Sequence, residues 1–505
     1  MSWFESIAIH TYNRLSNIGY RASQRHNPTP TPEDALILGT GSHPHHTNRR
    51  IQVFISPEHR ARHLYIIGGT GSGKTKQLEN LIRQDILAGR GTGVIDCHGD
   101  LVKSTIRFLS AILSDMAATN NSEYDSLLKK IVIFDPTIGL YAAGFNPLET
   151  TPGLEPYGQA LELINVFSKL WDCSGPRVGE MLRNTLVTLA EHGLTLLEVQ
   201  PFLTDNSFRE GLIRNLSNSE VRRYWIERFN TLSGAMKGQY IEPVLNKVGA
   251  FVTDPNIRAI VGQQKSTINL REIMDSGKIL LVNISKGFLK GNSQLLGALL
   301  LAKIQDAAMS RANIPENSRR PWYLYVDEFQ NFATDSFDEI LSESRKYKLS
   351  LVMANQGLSQ LPLSLRSSIK SNVGTQMVFR VSQDDAMELA SEILPQQKTR
   401  ITSMLINQGT AQALVNIKGQ HPVEIRVPHI SEPRYNQDVL KLIYRESIKR
   451  YARSRSDVEA DITRRRQTGN IKQGSDNAKH NTGKDKAVSA SEAPFSPKGE
   501  FKEGK

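Results

Sequence analysis

Eight consecutive residues, Gly68-Gly69-Thr70-Gly71-Ser72-Gly73-Lys74-Thr75, constrain this chain more than any other stretch. They follow an apolar run from Leu64 to Ile67 and precede a segment, Lys74 to Ala88, whose Leu78, Leu81, Ile82 and Ile86 recur at helical spacing. Strand, glycine loop and helix in that order supply the structural context that the pattern GxxxxGK[ST] requires. Glycines let backbone N–H groups wrap an anion, and the helix N-terminus adds a favourable dipole. Lys74 then reaches the β and γ phosphates, and the Thr75 hydroxyl ligates Mg²⁺. The expected ligands are ATP and Mg²⁺. A plain glycine turn explains the glycines but not a lysine and a hydroxyl in register. The similar run Gly89-Arg90-Gly91-Thr92-Gly93 lies between a helix end and a strand, the reverse order, and reads as a C-cap and connector.

The same grammar continues on both sides of a long interruption. Strands are expected at Gly93 to Asp96, Ile131 to Asp135, Ile279 to Ile284, Tyr323 to Val326, Ser350 to Ala354 and Gln376 to Arg380. Between them, helical periodicity takes over from Glu155 to Ile260, as in Leu161, Ile164, Val166, Phe167 and Leu170. The expected fold class is α/β, a mostly parallel sheet with an inserted all-α domain and a disordered basic C-terminal tail. Its units are an N-terminal lead-in (1–50), the first part of the sheet domain (51–154), the helical insertion (155–260), the second part of the sheet domain (261–433), and a charged helix with its tail (434–505). The lead-in is rich in Pro, Thr and His and reads as irregular to about Asn48. Its His43, His45 and His46 have no Cys or acidic partner at ligand spacing, which argues against a metal site. The last ~40 residues lack apolar periodicity, a composition of disorder.

Composition narrows the function less than the motifs do. No run approaches the ~18 to 20 apolar residues that span a bilayer, and the first twenty residues lack the layout of a signal peptide. A cytoplasmic protein is expected, brought to a membrane only by partners. Two cysteines, Cys97 and Cys173, fit a reducing compartment. The net charge of +11 favours a polyanionic partner, but residues 445–505 hold fifteen Lys/Arg against nine Asp/Glu, about half of the excess.

Hydrolysis needs more than a phosphate loop. Tyr323-Leu324-Tyr325-Val326-Asp327-Glu328 ends a buried strand in two carboxylates, Asp327 for Mg²⁺ and Glu328 as the general base. The strand from Leu349 to Ala354 ends in Asn355-Gln356, where Gln356 is the candidate sensor of water and γ-phosphate; the alternative is a loop amide capping Leu358 onwards. Ser336 and Glu339 form a possible capping box for a helix with the buried stripe Phe337, Ile340, Leu341, Ser344 and Tyr347. Arg345 falls at the edge of that stripe, able to reach a neighbouring subunit's ATP site; Arg380 is the rival.

Several of these motifs, in order, closely resemble the HerA/FtsK superfamily of DNA-pumping ATPases. They are the phosphate loop with its preceding Arg60 to Leu64, Val94-Ile95-Asp96-Cys97-His98-Gly99-Asp100, Gly144-Phe145-Asn146-Pro147-Leu148, Val326-Asp327-Glu328, and Asn372-Val373-Gly374-Thr375 before Phe379-Arg380-Val381. Within that superfamily, the chain from about Leu38 to Val427 looks like soluble relatives of the TraG/TraD conjugative coupling proteins. The resemblance implies a RecA-like P-loop NTPase core, a homo-hexameric ring around double-stranded DNA, and relaxase and type IV secretion components or a nuclease as partners. It favours Arg345 as the trans-acting arginine and places Asp96 and Asp100 near the nucleotide. Two features depart from the family: the transmembrane helices usual in coupling proteins are missing, and Cys97 replaces a proline, a change that a small apolar thiol tolerates. A switch or scaffold that binds ATP without pumping is the reading from another class, and Glu328 argues against it.

Overall fold

The structure, a computed structural model, describes residues 35–43, 46–171, 176–333 and 336–468. Residues 1–34, His45, Cys173 and the basic tail from 469 onward lie outside the described residues, as do the side chains of His43, His46 and Ser336.

Seven strands run parallel in the order β10-β3-β9-β8-β4-β7-β5: Thr375–Val378, Leu64–Ile67, Leu349–Asn355, Trp322–Val326, Gly91–Asp96, Ile279–Asn283 and Ile131–Phe134. Their side chains alternate between two apolar layers. Tyr65, Ile67, Leu324, Val326, Leu351 and Met353 join one cluster, whereas Leu64, Ile66, Tyr323, Tyr325, Val352 and Ala354 join the other. A parallel sheet apolar on both faces must be covered on both. Helices Lys74–Leu87, Asp100–Ala118 and Gln437–Tyr451 cover one side; the other carries Asn292–Met309 and the helices of residues 155–260, including Pro156–Trp171, Pro176–Glu191 and Gly234–Val252. These helices share one continuous hydrophobic cluster with the sheet.

The structure corrects three expectations. The lead-in is not irregular to Asn48, because β1 (Leu36–His43) and β2 (His46–Ile55) pair as a hairpin. With β11 (Gln412–Ile417) and β12 (Val423–Arg426), which no expected strand covered, they extend the sheet antiparallel beyond β10 to eleven strands. Among the described residues beyond Pro433 there are two helices, Gln437–Tyr451 and Arg455–Thr468; between them β13 (Arg453–Ser454) pairs with β6 (Tyr141–Ala142).

A buried ion pair fastens the phosphate-loop helix beneath the sheet. Arg60 donates twice to Asp85 (2.8 and 2.7 Å) and lies 3.5 Å over the Tyr323 ring, while the Tyr325 hydroxyl donates to the same carboxylate at 2.6 Å. Burial alone would raise the Asp85 carboxyl, but Arg60 holds it below the ordinary carboxylate range.

Candidate active site

Parallel strands bring their C-terminal ends to one edge, and ligands of such sheets bind there. The expected phosphate-loop and carboxylate residues are carried by neighbours on that edge: the loop leaves β3, Gln356 follows β9, Asp327 and Glu328 follow β8, and Asp96 ends β4. The loop has the backbone that its glycines allow. Gly73 sits at φ 116° as the helix N-cap, and a Cβ on Gly68 would lie 2.5 Å from Cβ of Phe379. Gly69 N–H donates to the Arg380 carbonyl (2.8 Å), and Ser72 accepts from Ala411 N–H (2.9 Å), so the ends of β10 and β11 brace the loop.

Lys74 is buried, and its ammonium donates to the carbonyls of Gly68 and Gly69, the latter at 3.3 Å. Burial lowers its pKa, against the pull of Glu328 and Asp327. Thr75 is exposed on the first helical turn, where backbone N–H groups have no intrahelical acceptor. Ser72 Oγ is buried without a partner. An ammonium held only by loop carbonyls, free N–H groups and an orphaned hydroxyl together fit a phosphate chain.

Asp327 and Glu328 are both buried. Burial, with Glu328 and Asp96 close by, pushes the Asp327 carboxyl up to about 6. Carboxylate, hydroxyl and phosphate oxygens suit a hard cation such as Mg²⁺. Among the described residues no group of three His, Cys, Asp or Glu could hold a metal alone, so the donor set fits an ion shared with phosphate. Glu328 has left-handed backbone angles (φ 49°, ψ 48°), and its carboxylate accepts from Gln356 Nε2 (2.9 Å) and Gln330 Nε2 (2.6 Å). Gln356 also accepts from the Thr70 hydroxyl (3.2 Å), which links phosphate loop to acid. Asn355 is tied instead to Tyr65 and Gly357 (2.8 Å each), and Asp385, not Gln356, accepts from Leu358 N–H.

Both Asp96 oxygens accept backbone N–H groups, of His98 (2.8 Å) and Val102 (3.1 Å), so this carboxylate caps the helix it precedes; Asp100 is exposed. The buried Cys97 thiol is pushed up to about 12 by burial and is chemically quiet. Arg345 is exposed in the turn Ser344–Tyr347 before β9, so the strand's length, roughly 25 Å, separates it from the phosphate loop of its own chain. Arg380 is exposed beside its own loop. Sequence reading missed Gln330, Asn331, Tyr65 and Ala411. The first two come just after the acidic pair, beyond Phe329, the one available signal.

Sheet topology and edge chemistry define a P-loop ATPase of the TraG/TraD and HerA kind. The chain belongs to the family described as the central domain of helicase HerA, which matches residues 41–304, just over half of its length. Residues 321–424 match the family described as the TraM recognition site of TraD and TraG. Among solved structures, the bacterial conjugative coupling protein TrwBdeltaN70 is similar (15% identity, 84% of this chain and 92% of that one, TM-score 0.52). So is the plasmid coupling protein TrwB in complex with ADP and Mg²⁺ (14%, 82% and 99%, TM-score 0.51). VirB4 of Thermoanaerobacter pseudethanolicus has the same fold (14%, 79% and 98%, TM-score 0.52). No curated protein matches this chain.

Proposed function

We propose that this protein is an ATP-driven DNA translocase that works as a homo-hexameric ring and feeds double-stranded DNA to a conjugative transfer apparatus. The observation that carries the ATPase part is the side-chain chain Thr70–Gln356–Glu328, which joins phosphate loop, sensor and acid on adjacent strand ends.

On nucleotide binding, Lys74 exchanges loop carbonyls for phosphate oxygens, and the N–H groups of Gly68 to Thr75 cradle the chain. Thr75 and Asp327 would hold Mg²⁺, which neutralises phosphate charge. Glu328 takes the proton of the water that attacks the γ-phosphorus, and the bond to the β-phosphate oxygen breaks. Gln356 leaves Thr70 to orient that water. Arg345 faces away from its own site and is assigned to the neighbour's, where a trans arginine lowers the barrier by several kcal/mol. Arg380, exposed and with its carbonyl bonded to Gly69 N–H, is the rival candidate for that trans arginine.

DNA as the cargo rests on the family, on the conjugative coupling proteins among the structural relatives, and on the charge of +11. Binding mainly to phosphates would give little sequence preference. The match to a TraM recognition site favours relaxase and type IV secretion partners over a nuclease. Among the described residues no helix is long and apolar enough to cross a membrane; a cytoplasmic ring that its partners recruit to the membrane is part of this proposal.

Two substitutions test the site together. Glu328→Gln should keep ATP bound and abolish turnover, and near-normal hydrolysis would remove Glu328 from its role. Arg345→Ala and Lys74→Ala subunits, each inactive alone, should recover activity when mixed; a mixture as inactive as its components would place the arginine elsewhere.

A further inference from the structure

The acid Glu328 is held at three points. Its left-handed backbone, costly for a residue with a Cβ, folds the chain back so that Gln330 donates to Oε2 (2.6 Å) while Gln356 donates to Oε1 (2.9 Å). Asn331 Nδ2 donates to the Glu328 carbonyl (2.7 Å), and its Oδ1 accepts from Lys286 Nζ (2.6 Å). Lys286 begins the connection after β7, tied to the sheet edge by its own N–H to the Cys97 carbonyl (2.9 Å). Beyond it, Gly287, Phe288, Lys290 and Gly291 are exposed, Phe288 by 41%. Among the described residues, no carboxylate lies within ion-pair distance of Lys286 or Lys290.

We propose that Gln330 and Asn331 form a catch that holds Glu328 in a resting position, and that the short helix Lys286–Leu289, with Lys290 at its end, releases it on taking a phosphate of the nucleic-acid backbone. The inference rests on the translocase reading and names the regulation of that same site. A phosphate offers the Lys286 ammonium a charge-assisted bond, stronger than the one from a neutral amide. Once Lys286 turns to phosphate, Asn331 loses its anchor and the strained turn at Glu328 can relax. The carboxylate then exchanges the Gln330 amide for the attacking water. Two lysines, an exposed aromatic ring and two glycines that leave the surface open suit a sugar-phosphate strand, the lysines for charge and Phe288 for stacking or apolar contact. Gln330 is thus a positioning residue, acting only through Glu328.

The test uses the full chain, assembled, with hydrolysis measured with and without long duplex DNA. Gln330→Met keeps the side-chain length and removes the donors. It should raise DNA-independent hydrolysis about fivefold, the shift expected from losing one hydrogen bond, and shrink stimulation by DNA by the same factor. Lys286→Met should act in the same direction and weaken DNA binding. Both should melt with the wild type, so that a general loosening is not mistaken for release. A fall in hydrolysis both with and without DNA would make Gln330 a support for the active base and overturn the catch. An unchanged stimulation ratio in both variants would disconnect the Lys286–Leu289 helix from Glu328 and overturn it equally. Failure of the translocase reading shows separately, as wild-type hydrolysis indifferent to DNA, and takes the proposal with it.

Discussion

Asp327 and Glu328 are neighbours in sequence, yet only Asp327 is left without a donor beyond a backbone N–H, that of Glu328 at 3.0 Å. Burial beside two carboxylates moves it from 3.8 to about 6. The sign follows from linkage: a carboxyl that binds its proton more tightly when folded costs stability as pH rises from about 4 to about 6, and the full cost persists above that. Asp327→Asn should therefore stabilise the nucleotide-free protein at pH 8 by about 3 kcal/mol, with the gain vanishing near pH 4, and should lose the extra stability that Mg²⁺ with nucleotide gives the wild type. Equal unfolding midpoints at pH 8 would contradict this. The phosphate loop was legible because its eight residues are contiguous and its chemistry is local. Gln330 was not, since a glutamine after an acidic pair carries no meaning until a positive φ at Glu328 turns it back on the carboxylate.

Among elements, the buried parallel strands were legible as short apolar runs, and seven of them lie close to where the sequence puts them. The antiparallel margin was not. β12 alternates exposed and buried positions over four residues, and β1 contains Gly39 and Gly41, so neither presents a continuous apolar run. The Arg60–Asp85 pair also escaped notice, because residues 25 apart give no pattern until helix and sheet are packed. It bridges the phosphate-loop helix to β8. Arg60→Ala should destabilise the protein by about 3 kcal/mol, the cost of stranding a buried charge partly compensated by Arg90. Urea unfolding measures it, and a loss below about 0.5 kcal/mol would mean that Arg90 and Tyr325 suffice. His63 holds another junction. Burial pushes it down to about 4, so the neutral ring donates from Nε2 to the Leu341 carbonyl (3.1 Å) and accepts Leu351 N–H at Nδ1 (3.0 Å). The helix that leads to Arg345 is thereby fixed to β9.

At the scale of the whole molecule, the two ends of the sheet have different work. One gathers Lys74, Asp327, Glu328 and Gln356; the other presents Arg345 to whatever lies beyond the chain. A chain whose arginine lies a strand's length from its own phosphate loop suits a ring in which each neighbour completes the next site. The proposed function joins the two halves of that account to DNA, with the match to the HerA helicase family as its support. The most direct measurement is displacement of a third strand from long duplex DNA by the assembled protein. ATP should drive the wild type to strip the strand, and Glu328→Gln or a non-hydrolysable nucleotide should leave it in place. A third strand that stays bound while the wild type hydrolyses ATP on that DNA would contradict the account.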